Sequence, residues 1–208
     1  NGQGAIELSG GNIGMEDFSV TREWNLSGMT LDVDSSIYIH SNGSGAESSL
    51  RINGDAVFAF APDAGIYVGH INDQNKKGSL IVNGATLSSQ DSDQRWNGVT
   101  IYNSAEDTNT NFLECVIENA SNGITCIASR PSMINSNFIN NIYGINADIN
   151  SSPYLMNNHF QSNHYPVKYY SKNIDSTIVG NTFENNQSSD DTTSTNYIFV
   201  YGNGDSER

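Results

Sequence analysis

The side chains best equipped for chemistry in this 208-residue chain are its tyrosines, acids, four histidines and two cysteines. Asn122, Tyr143 and Tyr165 follow one another at intervals of 21 and 22 residues, and Asp148 and Tyr170 are again 22 apart. If residues at that interval stand over one another, the first three form an outward corner column, with Asp148 and Tyr170 aligned on a strand beside it. Stacked exposed phenols with an acid nearby make a platform for sugar, through ring stacking and hydrogen bonds to hydroxyls. The competing reading has the same rings cover the corner and stack only on each other. Tyr143, Tyr165, Tyr170 and Asp148 are the candidate ligand-binding residues.

Other reactive groups promise less. His40, His70, His159 and His164 lack metal-ligand spacing, although His159 and His164 straddle one corner. The acids Asp91-Ser92-Asp93 and Glu106-Asp107 carry the oxygen donors Ca²⁺ takes, but Arg95 stands where a further ligand is needed. Solvated loops are the expectation there. No catalytic residue, metal site or cofactor is assigned, Ca²⁺ at these acidic loops being the one candidate. Cys115 and Cys126 are read as inward-facing on different strands of one turn, as buried free thiols rather than a bridge. Apolar burial raises a thiol's pKa, which argues against a catalytic cysteine.

The elements that must hold these groups are β-strands. Lys and Arg number 9 against 23 Asp and Glu, a net charge of −14, and charged residues make up only 15%. Such an acidic chain cannot form a basic stripe for nucleic acid. No apolar run approaches the ~20 residues of a membrane span. The opening Asn1-Gly2-Gln3-Gly4 reads as a mature chain or an excised domain rather than a signal peptide. Gly, Ser, Thr and Asn replace the missing charge, yet 10 Tyr, 8 Phe and 2 Trp argue against disorder. Short apolar runs such as Leu50-Arg51-Ile52 and Leu80-Ile81-Val82 each close on Asn-Gly, a strong turn signal.

A repeat selects the kind of β protein. Leu113 to Ile117, Ile134 to Phe138, Met156 to Phe160 and Val179 to Phe183 share the pattern apolar-x-x-x-apolar, with starts 21, 22 and 23 residues apart. Asn-rich corners follow at Asn119-Ala120, Asn140-Asn141, Ser162-Asn163 and Asn185-Asn186. This predicts an all-β, single-stranded right-handed parallel β-helix with coils of roughly 21–23 residues, stacked at the ~4.8 Å strand spacing. Strand alternation puts Leu113, Cys115 and Ile117 on one inner side. Ile117, Phe138, Phe160 and Phe183 then form an interior stack, and Cys115, Ser136, Asn158 and Asn181 a hydrogen-bonded polar file. Residues 1–208 are read as one domain: irregular coils over 1–87, regular coils over 88–186, a polar loop over 187–196, and a last strand and tail over 197–208. In the first half, strands are expected near 27–40, 49–60, 65–70, 79–87 and 97–102. At roughly 22 residues per coil the chain makes about nine turns.

Trp96-Asn97-Gly98-Val99-Thr100-Ile101 resembles the Trp-x-Gly-Ile strand of bacterial extracellular right-handed parallel β-helix repeat proteins. Leu80-Ile81-Val82-Asn83-Gly84 is similar to the strand closing that group's upstream module. The segment Phe138 to Ile145, and the Ser-x-Pro elements at Ser129 and Ser151, resemble its later coils. The resemblance covers most of residues 24–186 and implies an extracellular or cell-surface bacterial protein, in a family where many members have no demonstrated enzyme activity.

Enzyme signatures of such folds are incomplete. Asp190-Asp191 lies in the polar loop, Gly69-His70-Ile71 lacks a second Gly, and Arg51-Ile52-Asn53 ends in the wrong residue for polygalacturonase-like sites. Arg130-Pro131, with Asp148 one coil beyond Ile127, is the nearest echo of a lyase site. The sequence therefore favours a non-catalytic extracellular module for adhesion, carbohydrate binding or fibre assembly. The partner would be a polysaccharide or surface glycan, or another copy joined through the open solenoid ends. The alternative is a polysaccharide lyase or glycoside hydrolase with a non-standard site on an outer sheet, marked by two or three carboxylates and a base near Asp148, Lys168 and Tyr170.

Overall fold

Each turn of the chain contributes a strand to three parallel sheets, in a computed structural model that describes residues 6–8, 11–13, 21–43, 45–148, 150–170, 177–187 and 198–201. Sheet I has eight strands, from Ile6–Leu8 to Thr182–Glu184; sheet II has eight, from Gly11–Ile13 to Ile198–Tyr201. Sheet III has seven, from Thr21–Asn25 to Ile178–Val179. The chain visits I, II and III in rotation and every pairing is parallel, which is a parallel β-helix. Of the polar segment 187–196, only Gln187 falls within the described residues, and the tail beyond 201 falls outside them.

The interior follows the predicted columns. In sheet I, Leu31, Phe58, Leu87, Ile117, Phe138, Phe160 and Phe183 stand over one another. Phe138 and Phe160 are buried and stack at 4.9 Å, and Phe160 and Phe183 at 5.1 Å. The coil length changes along this file. Its steps are 27, 29 and 30 residues as far as Ile117, then 21, 22 and 23. Longer early coils give eight turns among the described residues where about nine were expected.

Corners explain a second departure. The predicted strands over 27–40, 49–60 and 79–87 are each two strands, such as Glu47–Asn53 and Val57–Phe60, separated by a corner. One corner column comprises Gly54, Gly84, Glu114, Asn135, Asn157 and Gly180, all with positive φ between 51° and 105°. That left-handed residue interrupts the alternation. Leu113 is therefore 37% exposed and Val179 50%, while Phe112, Met133 and Leu155, in the column one residue earlier, fill the core. The expectation that Leu113 points inward with Cys115 and Ile117 is corrected accordingly. Cys115 lies in the corner itself, between strands ending at Leu113 and beginning at Val116.

Two polar ladders close the short coils. The Asn158 backbone N–H donates to Asn181 Oδ1 (2.9 Å), and the Ser136 N–H to Asn158 Oδ1 (3.0 Å), above Cys115. A second ladder runs at the Asn-rich corners, where the N–H groups of Ala120, Asn141 and Asn163 donate to Oδ1 of Asn141, Asn163 and Asn186 (2.9–3.0 Å). Each ladder amide also donates its Nδ2 to a core carbonyl, as Asn163 does to Phe138 at 2.7 Å. Buried turns leave backbone groups without strand partners, and the stacked amides supply them.

The Trp-Asn-Gly motif joins long coils to short ones. Trp96 is buried, stacks on Phe60 at 4.4 Å and donates Nε1–H to the Glu118 carbonyl at 2.8 Å. Gly98 has φ +88°, and a Cβ there would lie 1.5 Å from the Asn122 carbonyl oxygen. Only glycine fits that approach.

Candidate functional site

Strand register fixes the outer face of sheet II. Its middle column reads Tyr38, Tyr67, Thr100, Thr125, Asn146, Lys168 and Phe199. One residue past the inward Ile39, Val68, Ile101, Cys126, Ala147 and Tyr169 comes an edge column of His40, Gly69, Tyr102, Ile127, Asp148 and Tyr170. Backbone bonds carry the register into that column, from Ile127 N–H to the Ile101 carbonyl (2.9 Å) and from Asp148 N–H to the Cys126 carbonyl (2.8 Å). The predicted column of Asn122, Tyr143 and Tyr165 is present on the same sheet. Asp148 and Tyr170 lie at the far end of the same strands, not on a strand beside them.

Within that predicted group the side chains are mutually engaged. Tyr143 and Tyr165 stack at 4.9 Å, and His164 and Phe199 each meet Tyr165 in a T-shaped contact at 4.4 and 5.2 Å. Lys168 Nζ sits over the Tyr143 ring at 4.7 Å and the Tyr170 ring at 4.9 Å. These contacts cover faces of Tyr143, whereas Tyr170 remains 42% exposed.

Nearer the N-terminus the same sheet forms a cleft of about 410 Å³, lined by Tyr38, His40, Tyr67, Gly69, His70, Ile71 and Tyr102. Tyr38 and Tyr67 stack at 5.1 Å, Tyr67 and Tyr102 at 6.5 Å, and the rings of His40 and His70 meet edge-on at 5.5 Å. Tyr38 is 42% exposed and Ile71 52%, so the rim is open to solvent. The wall is an extra loop between sheets II and III, held at both ends by buried serines. Ser41 Oγ donates to the Asn75 carbonyl (3.1 Å) and accepts the Lys77 N–H (3.2 Å). Ser104 Oγ accepts the His70 N–H (2.5 Å). Gly69, at φ +74°, lets this loop leave the coil, because a Cβ there would lie 2.6 Å from Ser104 Oγ.

The cleft offers both donors and acceptors. His40 Nδ1–H donates to the Ser41 carbonyl (2.7 Å), leaving Nε2 an acceptor. His70 Nδ1 accepts the Asn72 N–H (3.2 Å), so its Nε2 carries the proton. Burial, then the neighbouring Tyr67 and Tyr38 phenols, pushes the Tyr102 hydroxyl up and keeps it a neutral donor. The sequence reading missed this cleft, although the 30-residue offset between the Leu50 and Leu80 runs nearly matches the 29 residues from Tyr38 to Tyr67.

The other candidates resolve into structural roles. His159 meets Thr182 (2.8 Å) and Glu184 (3.5 Å), and His164 meets Gln187 (3.2 Å). Asp91 accepts from the Asp93 N–H and the Gln94 amide, Glu106 pairs with Lys77 at 2.6 Å, and Asp107 accepts the Arg130 N–H at 2.7 Å. Cys115 and Cys126 are free, as expected; burial pushes the Cys115 thiol up to about 11 and Cys126 up further. Among the described residues no three His, Cys, Asp or Glu side chains converge as metal ligands, and no helix is long and apolar enough to cross a membrane. Across the two outer columns of sheet II, Asp148 is the single carboxylate.

One protein-family model, described as periplasmic copper-binding protein (NosD), matches residues 12–204. No curated protein and no solved structure gives a significant match. The periplasmic description agrees with the expected location outside the cytoplasm. Its copper-binding description overturns the expectation of a chain without a metal cofactor.

Proposed function

The chain belongs to the periplasmic copper-binding protein (NosD) family, and from that premise we propose a non-catalytic extracytoplasmic β-helix that binds neutral carbohydrate on the outer face of sheet II. The observation that carries this reading is the cleft of Tyr38, Tyr67 and Tyr102 around His40 and His70. Apolar ring edges and faces suit the C–H surfaces of a sugar, and the mixed donors and acceptors suit its hydroxyls. A net charge of −14 opposes polyanionic ligands, which favours neutral ones. Tyr143, Tyr165, Tyr170 and Asp148 extend the surface on the same sheet.

For copper, His40 and His70 are the pair of imidazoles that meet in the cleft, and among the described residues no third His, Cys, Asp or Glu joins them, short of the His₂Cys donor set of a trigonal copper centre. Both thiols are buried and held protonated, whereas the thiolate is the ligand form. The described residues do not make up a His₂Cys copper centre, and no step of the proposed function passes through copper.

The test is a glycan array carrying neutral glucans, xylans and mannans beside acidic pectins and alginates. Binding to a neutral polymer, lost by at least tenfold in Tyr67→Ala, is the expected result. Binding confined to acidic polymers, or unchanged in Tyr67→Ala, would overturn the proposal.

A further inference from the structure

Resting on the carbohydrate reading, we infer that the ligand is a linear neutral polysaccharide laid along the helix axis, on one track from the tyrosine cleft to Tyr170. The edge column supplies the geometry. Tyr102, Ile127, Asp148 and Tyr170 occupy four successive strands, so the two tyrosines are three strand spacings apart, or about 14 Å. Beside them the middle column is low and polar, with Thr100, Thr125 and Asn146 between Tyr67 and Lys168. The track therefore has an aromatic wall at each end and a hydroxyl- and amide-bearing floor between.

Chemistry along the track is ordered to match a chain of sugars. At one end the cleft would take a single sugar residue against the exposed Tyr38 ring, the edges of Tyr67 and Tyr102 and the two histidines. Asp148 follows as the track's single carboxylate, able to accept from two neighbouring hydroxyls at once. At the far end the exposed Tyr170 ring is fixed by the Lys168 ammonium and offers a second stacking surface. A ligand the length of one or two sugars reaches only the cleft; a longer one gains Asp148 and Tyr170 without a second loss of translational freedom.

Calorimetric titration with disaccharides and hexasaccharides of the β-1,4-linked glucose, xylose and mannose series tests this. In at least one series the hexasaccharide should bind at least tenfold more tightly than the disaccharide. Asp148→Asn and Tyr170→Ala should each shrink that ratio, and the double variant should bring it near one; unchanged thermal melting checks their folding. Length-independent binding that Tyr67→Ala still abolishes would overturn the track and leave the cleft standing. A ratio untouched by both variants would do the same. Absence of binding in every series would remove the carbohydrate reading itself, and the track with it.

Discussion

The coils before Ile117 and those after it share one register and one core but differ in what their extra residues build. Early coils advance by 27–30 residues and place surplus outside the prism, including the loop from His70 to Lys76 that walls the tyrosine cleft. Between Ile117 and Phe183 the coils advance by only 21–23 residues and lock their corners with stacked asparagines. The comparison teaches that regularity and concavity compete in a solenoid. A coil of minimal length closes its backbone hydrogen bonds internally and presents a flat wall, whereas only a longer coil can raise a rim around a ligand.

The most severe way to break this arrangement is at the joint between the regions. Gly98→Ala forces a Cβ onto the Asn122 carbonyl at a left-handed φ, and is expected to cost more than about 3 kcal/mol in urea denaturation. Slightly below it comes the ladder of the short coils. Asn163→Ala leaves the buried Asn141 N–H without its partner and removes the amide bond to the Phe138 carbonyl, a loss on the order of 3 kcal/mol. Ser41→Ala in the long coils should cost less in stability, since its bonds hold a loop rather than a corner. A stability loss as large as that of Asn163→Ala would erase the distinction.

Alkaline pH sharpens the contrast further, because both cysteines lie where the long coils give way to the short ones. The folded Cys115 keeps its proton to about 11, above the ordinary value of 9.0. Above pH 9 the unfolded chain then binds fewer protons than the folded one, so stability falls as pH rises. From Cys115 alone the fall is about 2–3 kcal/mol between pH 9 and 11, with Cys126 acting in the same direction. Denaturation of the Cys115→Ala/Cys126→Ala protein at pH 8 and 10.5 should show a smaller drop than the parent. The smallest expected stability change is in the cleft. Tyr67→Ala should alter stability by about 1 kcal/mol or less while removing binding, because the ring is partly exposed and rests mainly on Tyr38 and Tyr102.

The same contrast separates what the sequence revealed from what it concealed. Phe138, Phe160 and Phe183 recur at 22 and 23 residues, and stacking needs little else, so the prism and its core file were legible. The file of Ser136, Asn158 and Asn181 was legible for the same reason. Facing was harder. Glu114 and Asn135 adopt a left-handed backbone that ordinary residues seldom visit, and so turned Leu113 and Ile134 away from the core against simple alternation. The columns of Tyr143 and Tyr165 were predicted from the short period, while Tyr38, Tyr67 and Tyr102 were overlooked. Their intervals of 29 and 35 residues absorb loops whose length no periodicity encodes.

The most direct measurement of the central claim is amide chemical-shift mapping of the isotope-labelled protein during titration with the neutral oligosaccharide that binds best. Shifts should concentrate at Tyr38, His40, Tyr67, His70 and Tyr102 and continue along sheet II to Asp148 and Tyr170, with sheets I and III unperturbed. Shifts centred on sheet I or III, with the tyrosine cleft silent, would contradict it.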